Sequence, residues 1–407
     1  MSGRKRVLIA GAGIGGLAGA LALLRRGFDV DIFEKAPMLG EVGAGVQISP
    51  NAMRVLADLG VADQIAEVCF IPKAREMLLW NTGYKSTAPT KNEEMIARYG
   101  YPHCTVHRAD LHAILLGAVR RFDTASIRLD AQAVGFEQDE SGVVLKLANG
   151  EQYRGDVLIG ADGIHSRIRH QLFGVSSARF TGGLAWRGVI PVDSLPAHMR
   201  ERNGQNWVGP HGHFIVYPIR RGELINVVGH VDRSDWQVES WFEVGETAEF
   251  LRDFQGWNEE IQVLIRAVAQ PFKWALFLHD TLPRWSEGRT SLLGDACHPM
   301  VPYLAQGANQ ALEDGLVLAR CLDAFGDIET ALAHYDATRI PRTTRVVQES
   351  AANQARYHDP SLADPVAGKA YIEHAWANQQ DVRSWVFAYD PVNAPLEGPR
   401  QAAEIAA

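Results

Sequence analysis

Gly11-Ala12-Gly13-Ile14-Gly15-Gly16 fits the spacing G-x-G-x-x-G, and Glu34, followed by Lys35, stands about 20 residues further on. That spacing suits a nucleotide pyrophosphate. Gly11 permits a tight turn, Gly13 lets the phosphates approach the backbone, and Gly16 lets a helix pack closely on a strand. Ile14 and Gly15 belong to the turn that leads into that helix, whose free N–H groups favour negative charge. Glu34 is suited to accept from ribose hydroxyls. The same fingerprint serves NAD and FAD. A second pattern lies far along the chain, in His213-Phe214-Ile215-Val216-Tyr217-Pro218. In a strand, His213, Ile215 and Tyr217 share one face. An imidazole with a pKa near ~6.5 accepts a phenol proton at neutral pH, so this face suits a hydroxylated ring. An ordinary buried His and Tyr in a strand core is the competing reading.

These groups need elements to hold them. Residues 7–10 read as a buried strand, 17–26 as a helix stopped by Gly27, and 30–33 as a second strand ending at Glu34. That is a strand–helix–strand nucleotide unit. Helices are expected at 51–59 and 108–121, with a short strand at 104–107. Ser141-Gly142 and Asn149-Gly150 punctuate an antiparallel meander before a strand at 157–159. Strands at 184–192, 214–219 and 224–231 predict a second sheet. Helices are expected over 247–269, 308–322, 328–355 with a kink at Pro341, and 367–386. Two further motifs sit at strand ends. Asp162 lies in Gly160-Ala161-Asp162-Gly163, a sharp-turn sequence. Asp295 lies in Gly294-Asp295-Ala296-Cys297-His298-Pro299, where ligands bind in open α/β folds. Gly307, Ala308 and Asn309 open a helix whose positive end favours an electron-rich ring.

The charge balance is 40 basic against 48 acidic residues, net −8, which disfavours nucleic acid as a partner. The four cysteines are scattered without metal-ligand spacing. They suit a reducing, cytoplasmic setting and predict no metal site. The apolar run after Arg4-Lys5-Arg6 imitates a signal or anchor, but Gly11, Gly13, Gly15 and Gly16 interrupt it, so no membrane segment is expected.

In order and spacing, the glycine fingerprint, the Gly160–Gly163 motif and Gly294-Asp295 resemble the class A single-component flavoprotein aromatic hydroxylases. The segment from Gly40 to Ala52, with Gly45, Val46 and Gln47, is similar to that family's second flavin loop, and His107-Arg108 to its arginine contact. The resemblance implies an α/β fold, with a Rossmann-like FAD domain interrupted by a mixed-sheet substrate domain and followed by a helical segment. The division would be 1–180 with 275–345, then 181–274, then 346–407. It implies tightly bound, non-covalent FAD, NADH or NADPH as co-substrate, O2, and a homodimer. Glu34 would hold the adenosine ribose and Arg108 the ribityl–pyrophosphate region. Asp295 would bind ribityl hydroxyls, Gly307, Ala308 and Asn309 would line the pyrimidine side, and Asp162 would support the pyrophosphate and the transient nicotinamide encounter. His213 and Tyr217 would act on a small aromatic acid. Ile215, Pro302 and Arg187 would line its pocket, Arg187 as a candidate for the carboxylate. Hydroxylation would proceed through a flavin hydroperoxide. Pro302 resembles the salicylate and 6-hydroxynicotinate hydroxylases, which favours salicylate to catechol with CO2 release. The Glu41–Gly45 loop and Tyr303-Leu304 resemble 3-hydroxybenzoate 6-hydroxylases, which give gentisate. An NAD-dependent dehydrogenase and a non-catalytic flavin-binding protein are the readings from other classes.

Overall fold

The computed structural model describes residues 4–40, 44–87, 92–174, 178–235 and 243–399. The strand Arg6–Ala10 is buried on both faces, as its uninterrupted apolar sequence requires in a parallel sheet. It pairs in parallel with Val157–Gly160 on one side and Asp29–Phe33 on the other. Ala125–Arg128 and Thr290–Leu292 extend this layer, and Ser286–Glu287 closes one edge antiparallel, giving six strands.

The helix Ile14–Leu24 begins three residues earlier than its sequence pattern suggests and is apolar on nearly every side. Such a helix must be covered all round. It lies between the sheet and the helix Gly307–Ala324, and glycines set the spacing. A Cβ on Gly315 would stand 2.6 Å from the Gly19 nitrogen. The meander is present as Ala133–Asp139, Gly142–Leu147 and Gln152–Gly155.

The second layer is an eight-stranded mixed sheet. Its middle is Ala178–Pro191, Leu224–Asp232 and Gly212–Ile219, antiparallel in that order. Alternation gives the sheet two different faces. Trp186, Phe214, Val216 and Val227 pack beneath Phe250, Phe254 and Leu264. The opposite face carries Ala185, Trp274 and Leu276, partly covered by Val301, Tyr303, Tyr357 and Leu362. Five strands of this sheet escaped the sequence reading: Arg75–Leu79, Lys85–Thr87, Gly204–Gly209, Glu243–Val244 and Phe272–His279. The layer thus draws in residues 75–79, 85–87, 178–180 and 275–279, outside the 181–274 stretch expected to build it.

The helix expected over 247–269 is two helices, Thr247–Asp253 and Glu259–Ala267, with Gly256 between them at φ +82°. The helix Ile328–Tyr357 runs unbroken through Pro341. A second long helix, Pro365–Ala388, follows, capped by Asp364. No helix among the described residues is long and apolar enough to cross a membrane. In the expected second flavin loop, residues 41–43 lie outside the described residues.

Candidate active site

Two cavities meet where the glycine turn faces the Asp162 turn, at Gly13, Ala161, Gly163 and Ile164. The first, about 300 Å³, runs between the two sheets. The second, about 690 Å³, lies along the C-terminal ends of the first sheet's strands, beside Gly11, Glu34 and Lys35.

The glycine turn is held by its own geometry. Gly11 sits at φ +110°, and a Cβ there would be 2.2 Å from the Ala161 carbonyl oxygen. At Gly13 a Cβ would meet nothing within 4 Å, so this backbone borders open space shared by both cavities. Ile14, Gly15 and Gly16 line the first cavity. The Glu34 carboxylate accepts from the Ala12 and Ala36 nitrogens at 2.8 and 2.9 Å, clamping the strand end to the turn.

Asp162 lines the second cavity and accepts from the Arg167 nitrogen at 2.7 Å, at the start of the helix Arg167–Phe173. Burial pushes its carboxyl above the ordinary range against these hydrogen bonds. Its other oxygen, Oδ1, is buried without a protein partner. Asp295 is exposed into the first cavity from the turn Gly294–Ala296, with Gly294 at φ +65°. Arg169 joins the two acidic turns by donating to the carbonyls of Ile164 at 2.6 Å and Ala296 at 3.2 Å.

Gly45, Val46, Gln47, Arg108, Gly307 and Ala308 also line the first cavity. Asn309 does not. It is fully buried, and its side-chain amide accepts from the Ser49 nitrogen at 3.0 Å and donates to the Gln47 and Ala305 carbonyls at 2.9 and 2.7 Å. It ties the strand Gly45–Ile48 to the cavity end of the helix.

The far wall is the second sheet. Arg187, Ile215, Tyr217 and Pro302 all line the first cavity, as expected for a substrate pocket. The Arg187 guanidinium lies 4.7 Å from the centre of the Trp274 ring. His213 shares the face of Ile215 and Tyr217 but does not line either cavity. Its ring is enclosed by His230, Tyr303, Tyr357 and His358, with centroids 4.3 to 5.2 Å away. His230, directly opposite His213 in the strand register, lines the cavity instead. Residues 303 and 357–358 thus cover His213, and the imidazole that borders the cavity is the buried His230, one strand over. Burial, reinforced by neighbouring cationic groups, holds both imidazoles well below the usual pKa and hence neutral. Burial pushes the Tyr217 phenol up, so it stays a donor.

Residues 4–350 match the model of the FAD binding domain family. The chain belongs to that family, among the class A flavin hydroxylases. It is 36% identical over 388 residues to 3-amino-4-hydroxybenzoate 2-monooxygenase PtmB3 of Streptomyces platensis, covering 95% of this chain and 96% of that protein. It is 35% identical over 407 residues to 6-hydroxynicotinate 3-monooxygenase of Pseudomonas fluorescens, covering 98% and 99%. A salicylate hydroxylase substrate complex superposes with a TM-score of 0.78 at 26% identity, covering 96% of this chain and 97% of that one. The chain is thus an FAD-dependent monooxygenase, and the open space at Gly13 and the unpartnered Asp162 oxygen fit a bound dinucleotide.

Sequence reasoning missed His230, Val228, Trp274 and Met300 in the wall of this flavoenzyme's cavity. For the first two a signal existed. The Arg220–Gly222 turn sets a hairpin register that places His230 against His213 and Val228 against Ile215. Trp274 lies on a strand whose alternation was not recognised. Cys297, His298 and Asp314 cluster closely enough to suggest metal ligands. Asp314, however, already accepts from His298 at 2.6 Å and Arg339 at 2.8 Å, so its charge is satisfied without an ion.

Proposed function

We propose that this flavin monooxygenase hydroxylates a small hydroxylated aromatic carboxylate, with NAD(P)H and O2 as co-substrates, and that salicylate, giving catechol and CO2, is its substrate. One observation carries the substrate class: the wall of the inter-sheet cavity sets a guanidinium, Arg187, a phenol, Tyr217, and a neutral imidazole, His230, among Ile215, Val228, Trp274 and Leu276. An apolar slot with a few convergent polar groups recognises a flat ring bearing an acid and a hydroxyl.

FAD would lie along both cavities. Gly11 to Gly16, Glu34 and Lys35 would hold its adenosine diphosphate. Arg108, Asp162 and Asp295 would hold the pyrophosphate and ribityl chain, and Gly45 to Gln47 with Gly307 and Ala308 the ring. When bound, FAD supplies the redox chemistry and oxygen activation that side chains lack. The chain's own residues do the rest. Arg187 pairs with the carboxylate, Trp274 and Ile215 sandwich the ring, and Tyr217 donates to a ring oxygen. His230, held neutral by burial, accepts the phenol proton and makes the ring a better nucleophile. Enclosure between the sheets excludes water. Pro302 in the cavity wall supports salicylate as it did in sequence.

The test is product analysis with NADH, O2 and a panel of salicylate, 3-hydroxybenzoate, 3-amino-4-hydroxybenzoate and 6-hydroxynicotinate. Catechol plus CO2 from salicylate is expected. Gentisate from 3-hydroxybenzoate, with the carboxylate retained, overturns the salicylate reading. No stimulation of NADH oxidation by any member overturns the substrate class.

A further inference from the structure

A row of side chains crosses the second sheet along the substrate cavity and continues past its wall. Strand register places Arg187 beside Val228, Val228 beside Ile215, and Ile215 beside Asn206. Directly paired residues share a face, so all four point to the same side of the sheet. Arg187, Val228 and Ile215 line the inter-sheet cavity. Asn206 lines a smaller side pocket of about 70 Å³ that adjoins it, with Gln47, Ile215, Tyr217, Pro302 and Ala305 as shared walls. That volume holds a few waters or one short ring substituent. With strands about 4.8 Å apart, Arg187 and Asn206 stand about 14 Å apart at the backbone, at opposite ends of the row.

The side pocket carries polarity that the protein leaves unspent. Asn206 Oδ1 is buried with no hydrogen-bond partner. Such an orphan acceptor is accounted for when a ligand or a water supplies the donor. The residue as a whole is only partly buried, and its soft terminal torsion can turn the oxygen into the pocket. The Glu76 carboxylate, also in the wall, is already taken by Lys85 at 3.3 Å, Asn203 at 3.2 Å and Gln205 at 3.0 Å. Arg75 stands beside it. One charge of each sign suits a neutral dipolar group better than a second acid.

We propose that this pocket recognises a neutral hydrogen-bond donor, an amino or hydroxyl group, on the ring carbon opposite the carboxylate, and that Asn206 is the residue that selects it. The row fixes the position. With its carboxylate on Arg187 and its ring over Val228 and Ile215, a substrate directs its far carbon along the row to Asn206. Tyr217 and His230 flank the row on opposite sides, each two residues on from Ile215 or Val228 in antiparallel strands, and stay with the ring hydroxyl. The far substituent donates to Asn206 Oδ1, and no covalent bond is made or broken. Salicylate spans the row but offers Asn206 nothing, so a salicylate with a donor at position 4 binds more tightly.

This selection rests on the substrate class proposed above, and its test separates the two. Dissociation constants are measured by perturbation of the flavin spectrum in FAD-loaded enzyme. The ligands are salicylate and its 4-amino, 4-methyl, 5-amino and 5-methyl derivatives, and the proteins are wild type and Asn206→Leu, which keeps the volume but removes the acceptor. An amino group without a partner binds worse than methyl, because its desolvation is not repaid. In wild type, 4-aminosalicylate is therefore expected to bind at least about threefold tighter than 4-methylsalicylate, with no such preference between the 5-substituted pair. In Asn206→Leu the 4-amino preference should vanish, while the Kd for salicylate stays within about threefold of wild type. A 4-amino preference below threefold in wild type, or one that survives in Asn206→Leu, overturns the selection and leaves the substrate class standing. Should Asn206→Leu fail to retain FAD, the wild type decides: an equal amino preference at positions 4 and 5 overturns the assignment. If neither salicylate nor any derivative perturbs the wild-type flavin, the substrate class falls, and the selection with it.

Discussion

Replacing Gly45 with Ala tests whether the Tyr217 wall sets the position of the substrate ring. A Cβ on Gly45 would stand 2.5 Å from Tyr217 Cε2, 2.8 Å from its hydroxyl oxygen and 2.9 Å from Asn226 Cγ. Ordinary carbon contacts need about 3.5 Å, so the ring must retreat by about 1 Å. It has little freedom to do so elsewhere, because Tyr217 is buried and the Gly45 nitrogen donates to Asn226 Oδ1 at 2.8 Å, fixing strand to sheet. The ring is therefore driven into the cavity. Overpacking of this kind costs about 1–3 kcal/mol of stability, which a chain of this size survives. A misplacement of about 1 Å at a reacting ring costs up to about 100-fold, or about 2.7 kcal/mol of barrier. The expected result is FAD retained and the rate constant kcat/KM for the aromatic acid lowered 10- to 100-fold, with more hydrogen peroxide per NADH consumed. The assay pairs NADH oxidation with chromatographic product yield. A Gly45→Ala enzyme with wild-type kcat/KM and coupling refutes the assignment of this wall to the substrate.

Arg187→Met keeps the stem over Trp274 but removes the charge. Losing one charge-assisted bond, about 1.5–3 kcal/mol, should raise KM for the acid roughly 10- to 100-fold in steady-state assays while FAD stays bound. Glu313→Gln leaves Arg339 and Arg342 facing one carboxylate fewer in the interior, and urea titration should show a loss of about 3–5 kcal/mol. His213 and His230 are held neutral in the fold but bind protons in the unfolded chain below about pH 6.5. Their stabilising share is therefore complete above that pH and falls as pH drops, by up to about 1.4 kcal/mol per pH unit for each. A urea midpoint that stays level between pH 7 and 5 contradicts this.

What the sequence makes legible is whatever local geometry enforces. Gly11 and Gly16 are readable because an added Cβ at either would meet backbone oxygen at 2.2 and 2.1 Å, so the motif is written in residue types. Ile215 and Tyr217 are readable because a strand alternates, and two residues of spacing put both on one face. His213 obeys the same alternation, yet its surroundings come from Tyr357 and His358, over 140 residues away, and no period in the strand reports them. Asn309 sits where a helix end should meet a ligand, but partners some 260 residues distant consume its amide. Gly256 and the strand Phe272–His279 were hidden for a third reason. A mixed apolar segment reads as helix or strand equally well until its neighbours choose.

The buried charges explain how such distant pieces stay registered. Glu313 binds Asn51, Arg339 and Arg342, and Asp314 binds His298, Arg339 and the Gly294 nitrogen at 3.1 Å. Two cations and two anions balance. They can all be paired in only one relative placement of the segments carrying Asn51, Gly294, Glu313 and Arg339. Two of those segments, the Gly294–Ala296 turn and the helix beginning at Gly307, present Asp295 and Ala308 to the flavin cavity. Replacing all four charges at once, as Glu313→Met, Asp314→Leu, Arg339→Met and Arg342→Leu, leaves no ion unpaired, so the fold should lose far less than Glu313→Gln alone costs. The Gly294 turn, however, loses its anchor. FAD affinity measured by flavin fluorescence should fall at least tenfold while the urea midpoint stays within about 1 M of wild type. Unchanged FAD affinity in that quadruple variant refutes a positioning role and reduces the network to stability alone.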